Sequence, residues 1–113
     1  MKKSVWISFD LGLRGDYQAL FQWLDKHQAV ECGKNLAFLN FDIDTSKSVS
    51  QTIKDDLLKY VEFKDGDRVY LCWLDHSENL SKIKGEFIIG KRTRSPWEGY
   101  AKDYLDVTTD EAA

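Results

Sequence analysis

Cysteine is scarce in this chain. Cys32 and Cys72 are the only two, too few and too far apart in sequence for a zinc site, and their apolar-leaning surroundings suit buried thiols. Such usage predicts a reduced, cytoplasmic protein. Proline occurs once, at Pro96, and no repeat, low-complexity tract or linker-like stretch divides the chain, which argues against a multidomain array. No segment approaches the roughly 20 apolar residues of a membrane span. Met1-Lys2-Lys3-Ser4 carries the charge of a signal peptide, yet Asp10 interrupts the apolar run behind it, so no membrane association is expected.

Positive charge is also in short supply. Lys and Arg number 16 against 19 Asp and Glu, for a net charge of -3, so the molecule as a whole lacks the cationic field that drives non-specific nucleic-acid binding. Any such contact has to use a local patch, and Lys91-Arg92-Thr93-Arg94, near Lys82, Lys84 and Trp97, supplies one. The same run also reads as a solvated strand end. There is no Gly-rich phosphate loop, no nucleophile elbow and no histidine pair at metal spacing.

What the chain has is apolar and aromatic bulk. Hydrophobic residues make up 42% of 113 residues, with Trp 4, Phe 6 and Tyr 5, enough for one aromatic-rich core. A single domain over residues 1–107 is predicted, followed by a flexible tail at 108–113.

Val5, Ile7 and Phe9 alternate with Trp6 and Ser8 in a first strand with two largely apolar faces, expected at the middle of a sheet. Asp16 is placed to cap a helix from about Tyr17 to His27, with Tyr17, Leu20, Phe21 and Leu24 at helical spacing. His27 reads as a C-terminal residue interacting with the helix carbonyls rather than as a base. Val30–Cys32 and Leu36–Phe41 read as strand, with a bulge or hairpin at Gly33. Asp42 and Asp44 read as turn-forming carboxylates. Ser48-Val49-Ser50-Gln51 matches a capping box opening a second helix to about Val61. After the turn Asp65-Gly66-Asp67, the continuous apolar run Val69–Leu74 predicts a strand buried on both faces and lying beside the first. Asp75–Asn79 breaks the pattern, Gly85–Gly90 predicts a shorter strand, and Trp97, Tyr100 and Tyr104 are spaced for a short helix.

This order predicts an α+β fold, a ferredoxin-like sandwich with two amphipathic helices on one face of a mainly antiparallel sheet. The strand ending in Phe9-Asp10-Leu11, the helix Tyr17–Leu24, the strand Leu36–Phe41, Ile53-Lys54-Asp55-Asp56-Leu57 and the turn Asp65-Gly66-Asp67-Arg68 before Val69-Tyr70-Leu71 together resemble the small Cas2/VapD/SinR-like group. The resemblance covers approximately Val5 to Leu74. It implies a homodimer, and it implies that Asp10, matching an acid at the dimer interface of some members, takes part in metal-dependent cleavage of RNA or DNA. The segment after Leu74 departs from the pattern, which sets aside a dimer built through a swapped final strand.

For phosphodiester cleavage a carboxylate must hold Mg²⁺ against a phosphate oxygen. One Asp per chain is thin for that task, but a two-fold dimer would bring two copies of Asp10 to one ion, with Arg14, Lys91, Arg92 and Arg94 on the substrate phosphates. Asp10 also reads as a strand-end acid that caps a loop amide or pairs with Arg14. A second function class is a non-catalytic binding module such as an antitoxin, immunity protein or inhibitor. Asp65, Asp67, Asp75, Glu78, Asp103, Asp106, Asp110 and Glu111 would then offer acidic surface to a basic protein partner, and Trp97 and Tyr100 would anchor it.

Overall fold

The computed structural model describes residues 1–77 and 79–102. Its elements are β1 (Lys2–Asp10), α1 (Tyr17–Lys26), β2 (Val30–Gly33), β3 (Leu36–Asp42), α2 (Val49–Tyr60), β4 (Arg68–Ser77) and β5 (Leu80–Ile89). Residues 100–102 are also helical. The expected tail at 108–113 lies outside the described residues.

The strands form one antiparallel sheet in the order β2-β3-β1-β4-β5. β1 lies in the middle, as its apolar pattern predicts, with β3 on one side and β4 on the other. The connection from β1 through α1 to β2 skips over β3, and that from β3 through α2 to β4 skips over β1.

Alternation along β1 buries Val5, Ile7 and Phe9 and leaves Ser4, Trp6 and Ser8 exposed. β4 does the same with Val69, Leu71 and Trp73. The predicted burial of β4 on both faces is therefore corrected: Arg68, Tyr70 and Cys72, on the other face, are only half-buried. Sheet residues on the buried side join Leu20, Trp23 and Leu24 of α1 and Ile53 and Leu57 of α2 in one cluster. Removing such a side chain from water contributes about 1.5–3 kcal/mol each. In α1 the buried stripe runs through Trp23, whereas Phe21, expected inside, is 53% exposed.

Both helices begin on side-chain caps. Asp16 accepts the Ala19 N–H, and the Ser48 hydroxyl accepts the Gln51 N–H at 3.1 Å. The capping box is half made, since the Gln51 amide donates to Asp55 at 2.7 Å instead of returning to Ser48. At the end of α1 the Ala29 N–H donates to the Leu24 carbonyl and the Gln28 N–H to Asp25, closing a Schellman turn. Gln28 occupies its left-handed position at φ 56°, where glycine carries no Cβ penalty.

The largest departure from the sequence reading is the final hairpin. β4 continues through the predicted break to Ser77, and β5 begins at Leu80, making a ten-residue strand where a short one was expected. Polar residues at Lys82, Lys84 and Glu86 conceal this strand in the sequence. They also charge the sheet's outer edge, which disfavours edge-to-edge pairing. A bulge between Val69 and Tyr70 sets Ile88 into the core at 4% exposure. Cys32, expected inside, is exposed on the edge strand β2.

Gln28→Gly removes the left-handed strain while keeping both turn hydrogen bonds. Urea unfolding of the variant is expected to show a stabilisation of about 0.5–1 kcal/mol, and a lower midpoint would contradict this account of the turn.

Candidate nucleic-acid interface

Two loops have to be fixed before a site can form at the end of β1. Asp67, 2% exposed, accepts the Gly12 N–H at 2.9 Å on one carboxylate oxygen and the Lys64 N–H at 2.8 Å on the other. It thereby ties the loop after β1 to the turn before β4. Asp16 adds a second tie, accepting the Glu62 N–H at 3.3 Å as well as capping α1, and the Tyr17 hydroxyl bonds both the N–H and the carbonyl of Leu11. Asp67 was expected to be acidic surface for a partner. It is instead a buried structural acceptor.

With the loops fixed, Asp10 stands directly across from Arg68 in the β1–β4 ladder, and the guanidinium donates to its carboxylate at 3.1 Å. The expected pairing with Arg14 is replaced by one with a residue 58 positions away. The Asp10 side chain is 67% exposed, so the ion pair contributes at most about 1 kcal/mol. Its effect is to set the direction of Arg68, which also donates to the Thr93 hydroxyl at 3.3 Å.

The basic run reaches this corner because of Gly90. At φ 74° it turns the chain after β5 over Asp67, and a Cβ here would collide with the Asp67 carbonyl. Arg68 and Arg92 then lie 5.6 and 5.7 Å from the Phe87 ring centroid, within cation–π range. Ser8, Asp10, Arg68, Tyr70, Phe87 and Arg92 line an open cleft of about 420 Å³. An adjoining cleft of about 580 Å³ shares Asp10 and Arg68 and adds Lys91.

The structure therefore brings together Asp10, Lys91 and Arg92 from among the residues singled out in the sequence. Arg14 and Arg94 line neither cleft. Arg14 is exposed and its carbonyl accepts from the Lys64 ammonium, while Arg94 is paired with Glu98 at 2.7 Å. Trp97 and Tyr100 are 72% and 73% exposed. Glu78, Asp103, Tyr104, Asp106, Asp110 and Glu111 lie outside the described residues. The residues that sequence reading missed are Arg68, Tyr70 and Phe87. Their signal was the period-two alternation of Arg68 and Tyr70 with Val69 and Leu71, hidden by a run in which nearly every residue is apolar.

The other acids are engaged locally. Asp44 accepts from the Ser46 hydroxyl and backbone N–H, which together hold its carboxyl below the ordinary value, as befits a turn former. Asp75 is likewise held low, first by the Lys84 ammonium and then by the Ser77 hydroxyl. His27 does not direct its ring to the helix carbonyls as expected. The ring lies 4.6 Å from Trp23 and 4.8 Å from Phe41, centroid to centroid, with Nε2 3.4 Å from Asp56. Among the described residues no three His, Cys, Asp or Glu side chains are grouped to hold a metal ion, and no helix is long and apolar enough to cross a membrane.

Compared with known families, curated proteins and solved structures, the chain matches none of them.

Asp67→Ala strands two backbone donors, and urea unfolding is expected to show a loss of about 2–3 kcal/mol. A loss within 0.5 kcal/mol, the usual range for surface substitutions, would mean that the loops are held by other contacts. Asp75, with its folded pKa lowered, favours the folded state above its unfolded pKa, and this contribution disappears as pH falls through the folded value. NMR titration is expected to place its midpoint below the ordinary carboxylate value, and Lys84→Gln to raise it.

Proposed function

We propose that the chain is a nucleic-acid-associated protein with a ferredoxin-like α+β sandwich, related to the Cas2/VapD/SinR-like group and acting as a homodimer. The order β2-β3-β1-β4, with each helix connection skipping one strand, supports the ferredoxin-like reading, with β5 as an added edge strand. Burial of helix and sheet residues in a single cluster supports both helices lying on one face.

One observation carries the functional reading. A chain of net charge -3 gathers Arg68, Lys91 and Arg92 at one corner of the sheet, against the aromatic rings of Tyr70 and Phe87. Cations beside aromatic faces suit the phosphates and bases of RNA or DNA. The protein-binding alternative has less support: Trp97 and Tyr100 are exposed, but Asp67 is buried and Asp75 is paired internally.

Among the described residues the donor set of one chain does not fit Mg²⁺. Asp10 already accepts from Arg68, and among the described residues no other acid lines its clefts except buried Asp67, whose two oxygens are taken by backbone donors. Cleavage of the kind the resemblance implies would need a second copy of Asp10, so Asp10 serves the single chain by orienting Arg68. The activity proposed for the single chain is binding.

Anisotropy of labelled mixed-sequence RNA and DNA is expected to report binding that weakens with salt. Arg92→Gln should lower affinity across sequences and reduce the magnitude of the log–log salt slope by about 1. Absence of binding to either polymer at low salt would overturn the proposal. In a parallel assay with Mg²⁺ or Mn²⁺, cleavage by the wild type but not by Asp10→Asn would assign Asp10 to a dimeric catalytic site. Equal activity in both, or none in either, would remove Asp10 from any cleavage role.

A further inference from the structure

The sheet face turned away from the core cluster carries more than the cationic corner. Strand pairing places Phe38, Trp6 and Cys72 in one row across β3, β1 and β4, and Leu36, Ser8, Tyr70 and Phe87 in the next row across β3, β1, β4 and β5. Four aromatic side chains, Phe38, Trp6, Tyr70 and Phe87, thus form a diagonal band over four neighbouring strands. Within it Trp6 meets Phe38 at 5.0 Å and Tyr70 meets Phe87 at 4.8 Å, both edge-to-face. At a strand spacing of about 4.8 Å the band spans roughly 14 Å.

An antiparallel sheet with one face on the core ordinarily turns polar residues outward. Here an aromatic band crosses that face between Ser4 and Asn40 on one side and Asp10 and Arg68 on the other, and Trp6 is 41% exposed within it. Gly85 keeps the band unobstructed beside Tyr70: the tyrosine ring occupies the space that any Cβ at this position would need. Arg68 and Arg92 close one end of the band against Phe87, and on the β1–β3 ladder Ser4 donates to the Asn40 side-chain oxygen at 2.7 Å.

We infer that this face binds unpaired nucleotides of a single-stranded nucleic acid, with bases stacking on Trp6, Phe38 and Tyr70 and phosphates meeting Arg68 and Arg92 beside Phe87. The inference rests on the nucleic-acid reading above and adds the strandedness of the ligand and the residues that select it. Its basis is chemical. A stacked base needs an exposed π-face, which every base offers once unpaired and which a duplex hides. The cationic end of the band complements a polyanion, whereas a partner recognised by apolar contact alone would gain nothing from two guanidinium groups it must desolvate. The Ser8 hydroxyl, beside the band, is available to base edges.

The test compares a short labelled single strand of mixed sequence, its blunt duplex and inorganic polyphosphate, each with the wild type, Trp6→Ala, Trp6→Phe and Arg92→Gln. The wild type is expected to prefer the single strand to the duplex. Trp6→Ala is expected to weaken single-strand binding about tenfold and leave polyphosphate binding unchanged, because one stacking interaction is worth about that factor. Trp6→Phe should restore most of the loss, and Arg92→Gln should weaken both single strand and polyphosphate. If Trp6→Ala matches the wild type on the single strand while Arg92→Gln does not, the stacking inference falls and the nucleic-acid reading stands. If the wild type binds no polymer, both fall. Sedimentation showing that Trp6→Ala converts a wild-type dimer to a monomer would assign the face to a second copy and overturn the inference.

Discussion

The buried carboxylate of Asp67 is the contact on which the geometry of the proposed site depends. Its oxygens take backbone donors from two loops far apart in the chain, Gly12 after β1 and Lys64 before β4. Carboxylate hydrogen bonds of this kind are stronger than neutral ones and lose less to water when sheltered. They fix how the end of β1 meets the start of β4, and from that follow the Asp10–Arg68 pair, the direction of Arg68 and the turn at Gly90 that lays the basic run alongside. A residue that looks like one acid of a surface turn is the joint between the core and the cationic corner.

The sheet's two faces divide the labour. The side bearing Val5, Ile7, Phe9, Leu71 and Trp73 supplies the hydrophobic stabilisation together with α1 and α2. The side bearing Trp6, Ser8, Asp10, Arg68 and Tyr70 contributes less to the core and is open to solvent chemistry. This explains how a weakly acidic protein can present a local cationic and aromatic surface. Whole-molecule charge describes the long-range field, whereas recognition at a few ångströms depends on which side chains alternate onto one face.

Much of this was legible in the sequence. The central position of β1, both helices and their caps, and the hairpin at Gly33 follow from periodicity and local hydrogen-bonding chemistry, which act over a few residues. The site was only partly legible. Asp10 and the run at Lys91 were visible as isolated signals, but their meeting through Arg68, Phe87 and Gly90 depends on strand register and on a turn, both set by distant contacts. The full length of β5 is not legible because Lys82, Lys84 and Glu86 on an edge strand give no hydrophobic alternation to read. The burial of Asp67 is not legible either, because Asp-Gly-Asp at a turn looks the same whether its second acid faces water or two amide groups.

The final hairpin has one more consequence. Beyond Trp73 on β4 and before Lys84 on β5, the described residues pair only with each other, and Leu80 and Ile83 are left largely in solvent. Its outer part is anchored by ladder hydrogen bonds rather than by the core, so amide protection will fall from the Ile88 end toward the tip while the remainder of the sheet stays closed. Because strand faces and ladder pairs repeat every two residues, this arm can lengthen or shorten by two residues on each strand and keep the same closing pair without moving a single core side chain. The hairpin is thus the part of the molecule whose reach can change at little energetic cost.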